Sequence, residues 1–146
     1  MIEILDMELS HLDAVYDIEC GTSAIPWTKN DLRKEVTDNK HAQYKVASID
    51  GIIVGYAGLW HIVNEGQITN IAVSEKYRRR GVASKLVEAL IDMAREKEMI
   101  GLTLEVRVSN IAALNLYEKY GFKSEGIRKR YYADTGEDAI IMWKYL

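Results

Sequence analysis

The stretch Asn70-Ile71-Ala72-Val73-Ser74-Glu75-Lys76-Tyr77-Arg78-Arg79-Arg80-Gly81-Val82-Ala83 changes period in its middle. Gln67 to Val73 is a β-rich run, whereas Ala83, Leu86, Val87, Leu90, Ile91 and Ala94 form an apolar stripe at 3.6-residue spacing, a helix that begins at Val82. A strand that passes through a short connection into a helix aims unpaired backbone N–H groups and a positive dipole end at one spot. Gly81 and Ala83 keep that spot free of bulk, and Arg78, Arg79 and Arg80 surround it with positive charge, so the segment reads as an anion site. The plain alternative is a solvated turn of three arginines before a helix, and these residues do not name the anion.

Upstream, Met1 to Asp6 alternates apolar and acidic residues, and Leu9, Leu12, Val15, Tyr16 and Ile18 recur at helical spacing. Ile25-Pro26-Trp27-Thr28 breaks that pattern, and Thr28 can N-cap a second helix over Leu32 to Val36. Tyr44 to Ile49 and Ile52 to His61 are β-rich runs joined by Asp50-Gly51, a tight-hairpin dipeptide. Downstream, Leu102, Leu104 and Val106 alternate with Thr103, Glu105 and Arg107, a strand with two unlike faces. A helix over Ile111 to Tyr120 follows Ser109-Asn110 and stops at Gly121. Phe122 to Tyr132, a turn at Asp134-Thr135-Gly136, and Ala139 to Leu146 make a closing hairpin. The order β-α-α-β-β-β-α-β-α-β-β is α+β, a mixed, mostly antiparallel sheet of about seven strands flanked by about four helices.

The 146 residues fit one domain, 1–146, and no apolar run approaches the roughly 20 residues of a membrane span. Met1-Ile2-Glu3-Ile4 does not read as a secretory signal, so a soluble, cytoplasmic chain is expected. Cys20 is the only cysteine and His11, His41 and His61 the only histidines, which argues against a disulfide or a structural metal. A formal charge of -3 argues against a general nucleic-acid binder.

Asn70-Ile71-Ala72-Val73 followed by Arg78-Arg79-Arg80-Gly81-Val82-Ala83 resembles the acetyl-CoA signature of the GNAT N-acetyltransferase superfamily, Q/R-x-x-G-x-G/A. The likeness continues through Leu104-Glu105-Val106-Arg107, Ser109-Asn110, Leu116-Tyr117-Glu118, Gly121-Phe122 and Asp138 to Met142, strings similar to those of the ribosomal-protein alanine (RimI-type) acetyltransferases. The resemblance implies a GNAT fold whose sheet splays at the acetyl-CoA site. It also implies acetyl-CoA as co-substrate, with no metal, and a protein or peptide N-terminus as acceptor, most simply the N-terminal alanine of a small-subunit ribosomal protein. By this likeness the backbone of Ile71, Ala72 and Val73 pairs with the pantetheine arm, and Arg78, Arg79, Arg80, Gly81, Val82, Ala83 and Ser84 hold the pyrophosphate. No direct nucleic-acid or membrane partner is expected, and the chain is read as a monomer or weak homodimer. A lysine or small-amine acetyltransferase, and a non-catalytic acyl-CoA-binding module, are the competing classes.

Amide formation needs a neutral amine, a stabiliser for the carbonyl oxygen and a proton source for the departing thiolate. The resemblance puts the family's catalytic glutamate on Glu105; an ion pair with Arg107 on a surface strand is the structural alternative. Tyr117 is the candidate acid and Asn110, seven residues earlier on the same helical face, a cofactor contact; core packing and helix capping are their alternatives. Trp27, Tyr131 and Tyr132 are the candidate acceptor-side rings, with hinge or core packing as the alternative.

Overall fold

The computed structural model describes residues 1–146. Its strands are β1 (Ile2–Asp6), β2 (Ala42–Ile49), β3 (Ile52–Ile62), β4 (Glu65–Val73), β5 (Gly101–Arg107), β6 (Lys123–Arg128) and β7 (Ala139–Tyr145). Its α-helices are α1 (Leu12–Thr22), α2 (Lys29–Thr37), α3 (Val82–Glu96) and α4 (Ile111–Lys119). The strands form one sheet in the order β1-β2-β3-β4-β5-β7-β6, antiparallel throughout except between β4 and β5.

Local chemistry sets the boundaries. Asp50 (φ 51°) and Gly51 (φ 80°) are both left-handed, the geometry of a two-residue hairpin, and Ile49 pairs with Ile52 across them. Thr28 caps α2 reciprocally with Asp31: Asp31 N donates to Thr28 Oγ1 at 3.0 Å and Thr28 N to Asp31 Oδ2 at 3.1 Å. The closing hairpin is shorter than its β-rich sequence suggests. β6 stops at Arg128 because Arg130 turns left-handed (φ 52°) and donates its N–H to Asp138 Oδ1 at 2.9 Å, which takes Tyr131 and Tyr132 off the ladder. Leu9–His11 likewise forms a 3-10 turn ahead of α1.

α3 covers one face of the sheet, where Leu86, Val87 and Leu90 pack with Leu59, Leu102, Leu104, Phe122 and Met142 in the larger core. α1 and α2 cover the other face over β2 to β4 through Leu12, Val15, Ile18 and Leu32 against Tyr44, Val46 and Tyr56. β4 and β5 are paired only from Glu65 to Gln67 and Gly101 to Thr103, and then part. Just beyond, Thr69 is an extra residue in β4: Asn70 pairs with Gly58 and Ile68 with Leu59, leaving Thr69 unmatched as a bulge that bends the strand. The gap that follows is the splay that the family resemblance implies. No helix is long and apolar enough to cross a membrane.

Candidate active site

The parting of β4 from β5 opens a cleft of about 670 Å³. Its floor is β4 from Gln67 to Ala72, and Leu104 to Arg107 of β5 form one side. Asn110, Ala113 and Tyr117 of α4, the α1–α2 connection and the β6–β7 loop close the rest. Of the residues singled out in the sequence, Trp27, Ile71, Ala72, Arg78, Glu105, Asn110, Tyr117, Tyr131 and Tyr132 meet on this wall. Val73, Arg79, Arg80, Gly81, Val82, Ala83 and Ser84 do not, and they continue from the end of β4 into the start of α3. Val73 and Val82 are core residues, so only their backbone is free to serve a ligand.

At that end Arg79 (φ 64°) and Gly81 (φ 80°) are left-handed. A Cβ on Gly81 would meet nothing within 4 Å, so positive φ rather than crowding calls for glycine there. Gly81 is the N-cap of α3 and offers no side chain to its first-turn N–H groups, leaving them to an external acceptor. Arg78, Arg79 and Arg80 are exposed, and Arg80 lies over the Tyr77 ring at 5.1 Å. An unpaired β4 edge leading to uncapped N–H groups and exposed arginines fits an extended acyl thioester with an anionic end.

Glu105 alternates with the buried Leu104 and Val106 and faces the side of the sheet away from α3. It does not pair with Arg107. Arg128 Nε approaches Glu105 Oε1 at 3.2 Å. Arg107 turns instead to the β6–β7 loop, meeting Asp134 Oδ1 at 2.9 Å and Glu137 Oε2 at 3.1 Å, and its guanidinium sits 4.0 Å from the centre of the Tyr132 ring. Those bonds hold the Asp134 carboxyl below the usual range, chiefly through Arg107. Glu137 is also lowered, first by its hydrogen bond with Ser109 and, against a smaller opposing effect of burial, by Arg107 and Thr135. The loop carrying Tyr131 and Tyr132 is thereby pinned beside Glu105, which is the largest influence on the Tyr131 phenol and raises its pKa.

Tyr117 is 8% exposed and edge-on to Phe122, with centroids 5.6 Å apart. Burial raises the pKa of its phenol, with a smaller push from Tyr132, so it stays protonated across neutral pH. Asn110 Oδ1 accepts from Ala113 N at 3.1 Å and caps α4. Tyr120 ties the far end of α4 to α3 by donating to Glu88 Oε2 at 2.5 Å.

Glu19 of α1 is a cleft residue that the sequence reading passed over. It is 4% exposed, and its position one turn beyond Val15 on an apolar face was the available signal. Beyond Trp27 and Trp60 a second cavity of about 460 Å³ is lined by Asp31, Lys34, Glu35, Asp38 and Asn39 of the α2 region.

Residues 12–122 match the sequence profile of the acetyltransferase (GNAT) family. The ribosomal protein bS18-alanine N-acetyltransferase of Escherichia coli (strain K12) is 37% identical over 146 residues, covering 97% of this chain and 96% of that one. A Bacillus subtilis (strain 168) protein named as a candidate enzyme of the same kind is 43% identical over 140 residues, 96% of this chain and 93% of its own. The crystal structure of the E. coli ribosomal-protein-S18-alanine N-acetyltransferase superposes with a TM-score of 0.91 at 35% identity, over 99% of this chain and 94% of that one.

Proposed function

The chain belongs to the acetyltransferase (GNAT) family, and from that premise we propose that it moves the acetyl group of acetyl-CoA onto the α-amino group of a protein N-terminus, most simply the N-terminal alanine of a small-subunit ribosomal protein. The observation that carries this reading is one cleft holding Glu105, Tyr117 and three acceptor-side rings, in a chain similar over nearly its full length to enzymes named for that acceptor. The reading sets the reaction in the cytoplasm.

Bound acetyl-CoA supplies a reactive acyl thioester. The free edge of β4 from Ile71 to Val73 accommodates its extended arm, and Arg78 to Ser84 hold its pyrophosphate. A backbone N–H aimed at the thioester carbonyl oxygen contributes about 3 kcal/mol of transition-state stabilisation. Glu105 takes the proton of the acceptor ammonium, directly or through a water. For an α-amine with pKa near 8 this costs about 1.4 kcal/mol at pH 7, against about 4.6 kcal/mol for a lysine. One partly exposed carboxylate therefore suits an N-terminus better than a side-chain amine. Tyr117 donates a hydrogen bond to the departing sulfur. Full transfer from an ordinary phenol to a thiolate is uphill by about 2 kcal/mol, and burial of Tyr117 makes it more so, which favours donation over transfer. Trp27, Tyr131 and Tyr132 grip the first residues of the acceptor.

Mass spectrometry of an Ala-starting peptide after incubation with acetyl-CoA tests the proposal. Acetylation of that peptide supports it, whereas an unmodified peptide beside an acetylated polyamine would sink it.

A further inference from the structure

Two glutamates are buried on the acceptor side of the sheet, Glu19 on α1 at 4% exposure and Glu35 on α2 at 8%. Each holds a tryptophan of the cleft. Glu19 Oε2 accepts from the backbone N–H of Trp27 at 3.0 Å, and Glu35 Oε1 accepts from the indole Nε1–H of Trp60 at 3.0 Å. A chain of polar groups joins the two carboxylates beneath β4. Tyr56 donates to Glu19 Oε1 at 2.5 Å, and Asn70 Nδ2 donates to the Tyr56 hydroxyl at 3.3 Å. The Tyr44 hydroxyl stands 3.4 Å from each of Asn70 Oδ1, Thr69 Oγ1 and Glu35 Oε1. Gly58 makes this crossing possible, since a Cβ there would lie 2.1 Å from Tyr44 Cε1.

The chain therefore runs from α1 through β3, β4 and β2 to α2, and its middle is the β4 bulge at Thr69 and Asn70. Buried carboxylates and phenols are retained at a desolvation penalty unless their bonds are made, and no buried polar side-chain atom here lacks a partner. Resting on the acceptor reading above, we infer that Glu19 is a positioning residue for the acceptor: through Tyr56 and Asn70 it fixes the Trp27 segment at a set distance from β4, along which the thioester lies. Glu19 accepts on both oxygens. A carboxamide of the same volume has one acceptor oxygen and a donor NH₂, so Glu19→Gln can keep the Trp27 N–H bond only by turning its NH₂ to Tyr56, whose O–H then loses its buried acceptor, and the opposite orientation sets two donors against each other at Trp27. Tyr56→Phe removes the same link from the other end.

Steady-state acetylation of an Ala-starting peptide by the whole chain, with acetyl-CoA affinity measured separately by calorimetry and folding followed by circular dichroism, tests this. The expected result for Glu19→Gln and for Tyr56→Phe is a rise in peptide KM of about tenfold, with kcat reduced less than threefold and acetyl-CoA affinity unchanged. The double variant should match the worse single one, because both cut one chain. An unchanged peptide KM in a folded variant overturns the inference. So does an equal weakening of acetyl-CoA binding, which would tie the chain to the cofactor rather than to the acceptor, or failure of both variants to fold, which would make it a stability element alone. A wild-type protein that acetylates no peptide defeats the acceptor reading itself, an outcome distinct from a peptide-active wild type with indifferent variants.

Discussion

Glu105 reaches diagonally past β7 to Arg128 at 3.2 Å, although Arg107 lies two residues away on its own strand. The Arg128 side chain is 55% exposed, so this pair is screened and adds little to stability. Glu105→Gln should lower kcat by at least about 100-fold, the usual scale for a lost general base, and move the thermal midpoint very little. Steady-state kinetics beside thermal unfolding checks both, and equal rates in the two proteins would remove Glu105 from the chemistry.

Tyr117→Phe keeps the edge-on contact with Phe122 and removes only the hydroxyl. A hydrogen bond to a developing thiolate is worth roughly 1.5–3 kcal/mol, so kcat should fall by about 10- to 100-fold with acetyl-CoA affinity preserved. A fall in affinity with unchanged kcat would reassign the hydroxyl to binding.

The phenols of Tyr44, Tyr56 and Tyr117 are raised above the ordinary tyrosine value, each chiefly by burial. Their protonated forms belong to the folded state, so the stability linked to them is complete below about pH 10 and is lost as pH rises further. An alkaline absorbance titration should show these three of the nine tyrosines ionising only as the protein unfolds. All nine titrating reversibly near pH 10 in folded protein would contradict it.

Arg107 is the largest cause of the lowered Asp134 carboxyl and a lesser one at Glu137. Stability linked to these groups is present above the ordinary carboxyl range and is lost as pH falls through their depressed values. In Arg107→Met the NMR titration midpoint of Asp134 should rise toward the ordinary value, more than that of Glu137. With the Tyr131-Tyr132 loop released, peptide KM should rise as well. An unmoved Asp134 midpoint would refute the pairing.

Gly58→Ala should destabilise the fold by about 1–3 kcal/mol, because the new methyl meets the Tyr44 ring and the backbone cannot yield without breaking the β3–β4 register. Urea unfolding measures this directly, and a midpoint equal to that of the wild type would show that Tyr44 has room to move.

Elements with strong periodicity or strong turn chemistry were legible from the residues alone. The α3 stripe, the Asp50-Gly51 hairpin and the Thr28 cap all formed where local chemistry placed them. The sequence makes β6 look too long because its β-rich composition carries on to Tyr132, while the left-handed turn at Arg130 depends on Asp138, which lies eight residues away. Sequence spacing brought Glu105 and Arg107 together as an alternative pair, whereas the partner of each comes from a hairpin that closes only in three dimensions. Glu19 is hard to read because an acidic residue on a helix normally faces water; its place one turn beyond Val15 marks the apolar face, but its partners Tyr56 and Trp27 reach it only through the fold. The chemical name of the anion at Arg78 to Ser84 came from family likeness, since charge and N–H groups there suit many phosphates.

The proposed function requires an α-amine as acceptor. It is tested most directly by one peptide carrying both an N-terminal alanine and an internal lysine, incubated with the protein and acetyl-CoA at pH 7 and mapped by tandem mass spectrometry. The acetyl group is expected on the N-terminal nitrogen, with the lysine unmodified. An acetylated lysine beside a free N-terminus would contradict it.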